Sequence, residues 1–352
     1  MSILAVGVMI FPTHTTIGPL QLAQALEERG FESLLVPEHT HIPTSRKSPW
    51  PGGPTLPQEY YNTFDPFVWL SIAAAASSQL KLGTGICLLP QRDTLITAKL
   101  AASLDRLSNG RLIFGVGAGW NEEELVNHGA HFNTRFQKLE EQVQALKGLW
   151  TQEVFEYQGT HIQFEAAYSS PKPVQPLGPP ILIGGETDHT LRRIARFADG
   201  WLPRARHGFN PRDNLARLQT MCTALGRPFD DISTSVFGAP ADLETLKDYQ
   251  DAGIDRVLLP LVDVLERDLG LQQGAGVVLA DDHDEGHLVG LPAGIAEAAA
   301  LERALVATFN VPFRVVQFVG SWLDLPGRSQ STLLSRSETG EARHALGDGL
   351  TL

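Results

Sequence analysis

Eight short apolar runs, separated mostly by stretches of helical spacing, constrain this chain more than any other feature. The runs are Ile3–Ile10, Phe31–Val36, Leu80–Leu89, Arg111–Val116, Pro180–Ile183, Gly200–Leu202, Ile232–Phe237 and Arg256–Leu261. Their leading members are continuously apolar rather than alternating, as parallel strands buried on both faces are. Helical patterns fill the intervals: Pro19–Arg29 with Gly30 at its C-cap, Asp65–Ser77, Thr94–Leu107, a start at Asn121, Gln137–Trp150, 187–198, 211–225 and Leu243–Ala252. Strand–helix alternation with short connections implies a parallel sheet. Eight repeats imply closure into a (β/α)8 TIM barrel, whereas an open doubly wound sheet needs fewer strands.

Two interruptions break the alternation. Residues 41–64 are rich in Pro and Gly and carry Trp50, Tyr60, Tyr61 and Phe64, which reads as an excursion over one end of the fold that shapes a substrate pocket. Residues 151–179 hold a hairpin, Val154–Tyr157 with Ile162–Phe164, and a Pro-rich linker. The strand–helix units are complete near residue 270, which divides the chain into a barrel domain, 1–270, and a C-terminal extension, 271–352. The extension has one helical pattern, Ala293–Ala307, and one apolar stretch, Val311–Val319, and does not fit the barrel repeat.

The formal net charge of -12 argues against general nucleic-acid binding, which needs a basic face against phosphates. The two cysteines, Cys87 and Cys222, form no C-x-x-C pair, so neither a zinc ribbon nor a redox dithiol is expected, and a reducing cytoplasm is the simplest setting. The N-terminal apolar run is too short to span a membrane and reads as a first buried strand. No metal is expected: His39 and His41 lack a third ligand at a recognisable spacing.

Chemistry concentrates where strands end. Gly115-Val116-Gly117-Ala118-Gly119 closes strand four, and a helix starting at Asn121 follows; the spacing is not that of a dinucleotide fingerprint. Glycines there admit a ligand close to the backbone, and a helix start offers free N–H groups to an anion. Glu122 to Glu124, next in line, complement a helix dipole. Gly184-Gly185 closes strand five ahead of Thr187 and a helix with Arg192, Arg193 and Arg196, a second phosphate position or simply a tight turn. Gly83-Thr84-Gly85-Ile86-Cys87 puts two glycines inside strand three, the mark of a bulge or close backbone approach. His39 stands just past strand two, where barrel enzymes place chemistry; a loop histidine bonded to backbone is the other reading.

In their order and spacing these segments resemble the luciferase-like monooxygenase superfamily, and most closely its branch dependent on coenzyme F420, a deazaflavin. The matching text is Leu82–Ile86, Ser103–Arg111, Gly115–Glu124, Pro171–Gln175, Pro180–Gly185 and Ala198–Trp201. The resemblance covers about residues 3–265 and leaves 271–352 unmatched. It implies a bacterial-luciferase-like barrel and hydride transfer between an organic substrate and ring C5 of bound F420. An FMN-dependent monooxygenase is the alternative, and a non-catalytic flavin-binding barrel the second. By the same resemblance Glu38 and His39 lie beside the reactive ring, His39 as proton donor or acceptor and Glu38 orienting it. Thr84, Gly85 and Ile86 form a bulge behind the ring that often contains a cis non-prolyl peptide. Gly117, Asn121, Gly184, Gly185 and Thr187 lie near the cofactor's side chain and phosphate. A small-molecule substrate, a flavin or F420 reductase as electron partner and a homodimer are implied as well. Ala118 stands where some sugar-phosphate dehydrogenases of the family carry a glutamate, which argues against their substrate.

Overall fold

The computed structural model describes residues 4–261. The two features expected in the C-terminal extension, Ala293–Ala307 and Val311–Val319, lie outside the described residues.

The elements run β1 (Ala5–Met9), α1 (Pro19–Glu28), β2 (Ser33–Val36), α2 (Glu59–Asn62), α3 (Pro66–Ala75), β3 (Lys81–Leu88), α4 (Thr94–Leu107), β4 (Leu112–Gly117), α5 (Glu122–Asn127) and α6 (Arg135–Thr151). After these come β5 (Val154–Gln158), β6 (Gln163–Tyr168), β7 (Ile181–Gly184), α7 (Asp188–Phe197), β8 (Gly200–Leu202), α8 (Pro211–Ala224), β9 (Ser233–Phe237), α9 (Leu243–Ala252) and β10 (Arg256–Pro260). Eight strands close a barrel in the order β1-β2-β3-β4-β7-β8-β9-β10, every pair parallel. The TIM barrel read from the repeat is the observed fold. β5 and β6 form the expected hairpin outside it.

Two apolar layers hold the barrel. Inside it, Met9, Leu35, Ile113, Leu182, Leu202 and Leu258 fill the centre, with Phe11, Ile86 and Phe237 half-buried on top. Between strands and helices lies the larger core, which includes Leu34, Leu82, Phe114 and Trp201. Strand contact is tight enough to require glycine: a Cβ on Gly115 would stand 2.1 Å from the Thr84 carbonyl oxygen. Side-chain caps fix where helices begin. Asp65 accepts from the N–H groups of Phe67 (2.9 Å) and Val68 (3.0 Å) to start α3, and Asp93 accepts from Ile96 (2.8 Å) to start α4.

The barrel seam joins β1 to β10 from Ala5↔Arg256 to Met9↔Pro260. Glu32, just before β2, braces it. Its carboxylate accepts from Arg256 Nε (2.7 Å) and Nη2 (2.6 Å) and pairs with Lys81 (2.8 Å). Two segments of the family-like text also prove architectural. Asp105, fully buried in α4, accepts from the Val174 N–H (2.7 Å) and Gln175 Nε2 (2.7 Å), tying down the Pro-rich linker. Arg111 donates to the carbonyls of Ala74, Ser77 and Leu80. No described helix is long and apolar enough to cross a membrane.

Candidate active site

The C-terminal ends of the strands form one mouth, and His39 stands in it. The chain leaves β2 in extended form, and His39 turns toward α5. Its Nδ1 lies 2.8 Å from Oε2 of Glu124, with both side chains buried. A carboxylate only accepts, so Nδ1 carries the hydrogen of this pair and Nε2 is left with no hydrogen-bond partner among the described residues. Glu124 also accepts from the Thr40 N–H (3.1 Å). It is itself fixed by the helix start, where Asn121 Oδ1 accepts from the Glu124 N–H (3.1 Å).

This corrects the expected role of Glu38. Glu38 is buried, but its oxygens take the Leu88 N–H (2.7 Å) and Arg92 Nε (2.7 Å), and Arg92 continues to Asp65 (2.7 Å). Consecutive residues of an extended chain point apart, so Glu38 braces the end of β3 while His39 faces Glu124. The sequence reading assigned Glu124 to the helix dipole. The structure makes it the histidine's partner.

Aromatic rings line the space around His39. Tyr60 and Trp120 lie 5.2 and 5.7 Å from it, centroid to centroid. Tyr60 also meets Phe11 (4.6 Å) and Trp50 (5.7 Å), so the 41–64 excursion folds back over the mouth. Burial raises the Tyr60 phenol above its ordinary value and keeps it neutral. Beyond Thr40 the network becomes exposed: Thr40 Oγ1 lies 2.9 Å from His41 Nδ1 and 2.6 Å from His128 Nε2. Burial, with His41 nearby, lowers the His128 imidazole.

The floor of the mouth is the β3 bulge. The Gly85–Ile86 peptide is cis and the β3–β4 register shifts between Thr84 and Cys87, the local geometry the resemblance implied. Thr84 faces away from the mouth, its hydroxyl donating to the Gly115 carbonyl (2.6 Å). Ile86 faces into it. A Cβ on Gly117 would stand 2.0 Å from Ile86 Cδ1, and one on Gly184 would stand 3.4 Å from Ile86 Cγ2, so strands β3, β4 and β7 converge on that side chain. Gly185 has φ +115°, and its carbonyl accepts from Trp201 Nε1 (2.7 Å). Thr187 caps α7 through Thr190 N (3.2 Å). The side chains of Asn121 and Thr187 are therefore committed to caps, and what they offer a ligand is backbone.

Cations flank this end of the mouth. Arg135 packs over Phe132 (3.6 Å) and Phe136 (4.5 Å), with Arg193 of α7 also over Phe136 (4.5 Å). Sequence reasoning passed over Arg135, because only the fold brings α6 beside α7. An open groove of about 890 Å³ lies between the 43–51 segment and Trp120, Val126 and Phe132. No cluster of three metal-ligating side chains occurs among the described residues.

Known proteins carry the same sequence pattern. The family model for luciferase-like monooxygenases matches residues 18–308. An uncharacterized protein of Mycobacterium tuberculosis is 39% identical over 229 residues, 63% of this chain and 79% of that protein. An FMNH2-dependent dimethylsulfone monooxygenase of Pseudomonas fluorescens is 32% identical over 130 residues, 36% of this chain and 35% of that one. An F420-dependent hydroxymycolic acid dehydrogenase of Mycobacterium tuberculosis is 26% identical over 208 residues, 58% of this chain and 53% of that one.

Proposed function

The chain belongs to the luciferase-like monooxygenase family of flavin- or F420-dependent enzymes, and from that premise we propose that it transfers a hydride between a small organic substrate and bound coenzyme F420. The observation that carries this reading is the buried His39–Glu124 pair, which leaves His39 Nε2 without a hydrogen-bond partner among the described residues. The family-like dehydrogenase of Mycobacterium tuberculosis supports the same cofactor.

The residues present fit such a group. A flat ring would rest against Ile86, whose side chain lies close over Gly117 and Gly184 because neither carries a β-carbon. An anionic tail would run past Gly185 to the first N–H groups of α7, near Arg135 and Arg193. When bound, the deazaflavin supplies a carbon that gives or takes a hydride. The chain supplies the rest. His39 Nε2 takes the substrate's hydroxyl proton as a carbonyl forms, or returns it in the reverse direction. Glu124 holds the ring so that Nε2 is the basic nitrogen. Tyr60, Trp50 and Trp120 narrow the space around the reacting carbon and exclude water.

The first test is titration of the purified protein with F420 and with FMN. F420 is expected to bind more tightly. Tighter FMN binding would move the function to FMN-dependent monooxygenation, which the Pseudomonas relative supports. His39→Ala is expected to keep cofactor affinity within a few fold and to lower turnover by about 10²–10⁴. His41→Ala, two residues into the loop, serves as the control.

A further inference from the structure

The segment 45–48 wraps a single carboxylate. Glu123 accepts from Ser45 Oγ (3.0 Å), the Lys47 N–H (2.6 Å), the Ser48 N–H (3.2 Å) and Ser48 Oγ. Ser48 Oγ in turn accepts from the Glu122 N–H (3.0 Å). Ser45, Lys47 and Ser48 line the open groove beside this segment, and Arg46 between them does not.

Arg46 has φ +48°, in the left-handed region that a β-carbon disfavours. The other non-glycine residue at positive φ among those described is Asn109, a type that tolerates it; arginine is not. Strain of this kind persists where surrounding contacts over-determine the backbone, and it gathers at ligand sites. Here the grip on Glu123 by its neighbours holds the turn, and the Arg46 side chain packs on Trp120, a ring shared by the groove and the surroundings of His39. The guanidinium carbon lies 5.9 Å from the Trp120 ring centroid, and that ring lies 5.7 Å from His39. Nη1 is buried with no hydrogen-bond partner among the described residues. A guanidinium is always charged, so a buried N–H without an acceptor is costly to maintain unless a ligand supplies one.

We propose that Arg46 recognises a carboxylate of the substrate and holds it over Trp120, with the reacting carbon at His39. This rests on reading the mouth as the substrate chamber. A carboxylate matches the planar fork of one arginine. A phosphate dianion calls for more positive charge than this aromatic wall provides.

Arg46→Gly is the informative variant, because glycine accepts φ +48° and leaves the strap on Glu123 in place. Arg46→Lys keeps the charge and loses the fork. Calorimetric titration of the full chain without cofactor compares 4-phenylbutyrate with its neutral isostere, 4-phenylbutyramide. Wild type is expected to prefer the carboxylate by at least about tenfold, the size of a charge-assisted hydrogen bond. Arg46→Gly is expected to bring the two within about twofold, with Arg46→Lys between them. Equal affinities in wild type, binding of neither ligand, or a preference that survives in Arg46→Gly overturns the proposal. A parallel titration with F420 and FMN keeps the two readings apart. Failure of wild type to bind either cofactor sinks the proposed function and leaves the carboxylate result standing. Weaker cofactor binding in Arg46→Gly with the carboxylate preference intact assigns Arg46 to the cofactor and overturns the proposal.

Discussion

Removing the Glu124 carboxylate tests whether the histidine works as half of a pair. Glu124 is fully buried and accepts two hydrogen bonds, from His39 Nδ1 at 2.8 Å and from the Thr40 N–H at 3.1 Å. Glu124→Ala leaves both donors without an acceptor. Each orphaned donor costs about 1–3 kcal/mol; Thr40 is exposed enough for water to reach, so the total is about 2–4 kcal/mol. In a domain of this size that lowers the melting temperature by about 4–16 °C. Glu124→Gln keeps one carbonyl oxygen and turns an amide N–H₂ toward the other donor, so it should fall between. The chemical readout separates a positioning role from a merely structural one. With 15N-labelled histidine, wild type should show the hydrogen of His39 on Nδ1, and Glu124→Ala should lose that preference. Turnover should fall by about 10–100-fold, the range for a residue that orients a functional group. That is less than the loss in His39→Ala. If Glu124→Ala melts like wild type, or His39 keeps its hydrogen on Nδ1 without the carboxylate, the pair does not fix the ring.

Three further outcomes follow from the geometry. Gly185→Val, at φ +115° with a new Cβ only 3.1 Å from Thr190 Oγ1, should weaken cofactor binding by more than roughly tenfold in a folded protein; unchanged affinity removes this loop from the site. Burial alone would raise the Glu32 carboxyl, but Arg256 and Lys81 outweigh it and hold the group at about 2 rather than 4.5. The stability this contributes is therefore complete above about pH 4.5 and is lost as pH falls toward 2; acid melting curves should show the loss in wild type and much less of it in Glu32→Gln. A chain truncated to 1–270 retains all eight barrel strands and is expected to fold and bind cofactor; an insoluble or unstructured product would place residues up to 308, which the family model also spans, inside the domain.

The barrel was legible because its strands are short and apolar without alternation, which leaves few architectures. The β3 bulge was legible from Gly83 and Gly85, and the β4 and β7 glycines from their places at strand ends. The histidine's partner was not. Glu124 sits in the first turn of a helix, where a carboxylate already has an ordinary explanation, and it lies 85 residues from His39. Glu38 drew attention through the acidic–histidine pair of the resemblance, which does not say where each side chain bonds. Asn121 and Thr187 read equally as ligand contacts and as caps, and the fold puts their oxygens on Glu124 N and Thr190 N. The fold-back of Tyr60 onto His39 depends on the path of a long irregular segment, which carries no periodicity to read.

Because β1 pairs with β10, the first barrel strand to be synthesised waits for the eighth. At elongation rates of about 5–20 residues per second, Ala5 emerges roughly 13–50 s before Arg256 does. Throughout that interval one edge of β1 presents its free N–H and C=O groups, and the sheet growing from β2 onward has no closing strand. Nascent chains that stall before residue 256 are thus open sheets with a sticky edge, the form that chaperones hold and that aggregates when they do not. Release of the eighth barrel strand ends that vulnerability in one step: the edge vanishes, and the Glu32–Arg256 ion pair locks behind it.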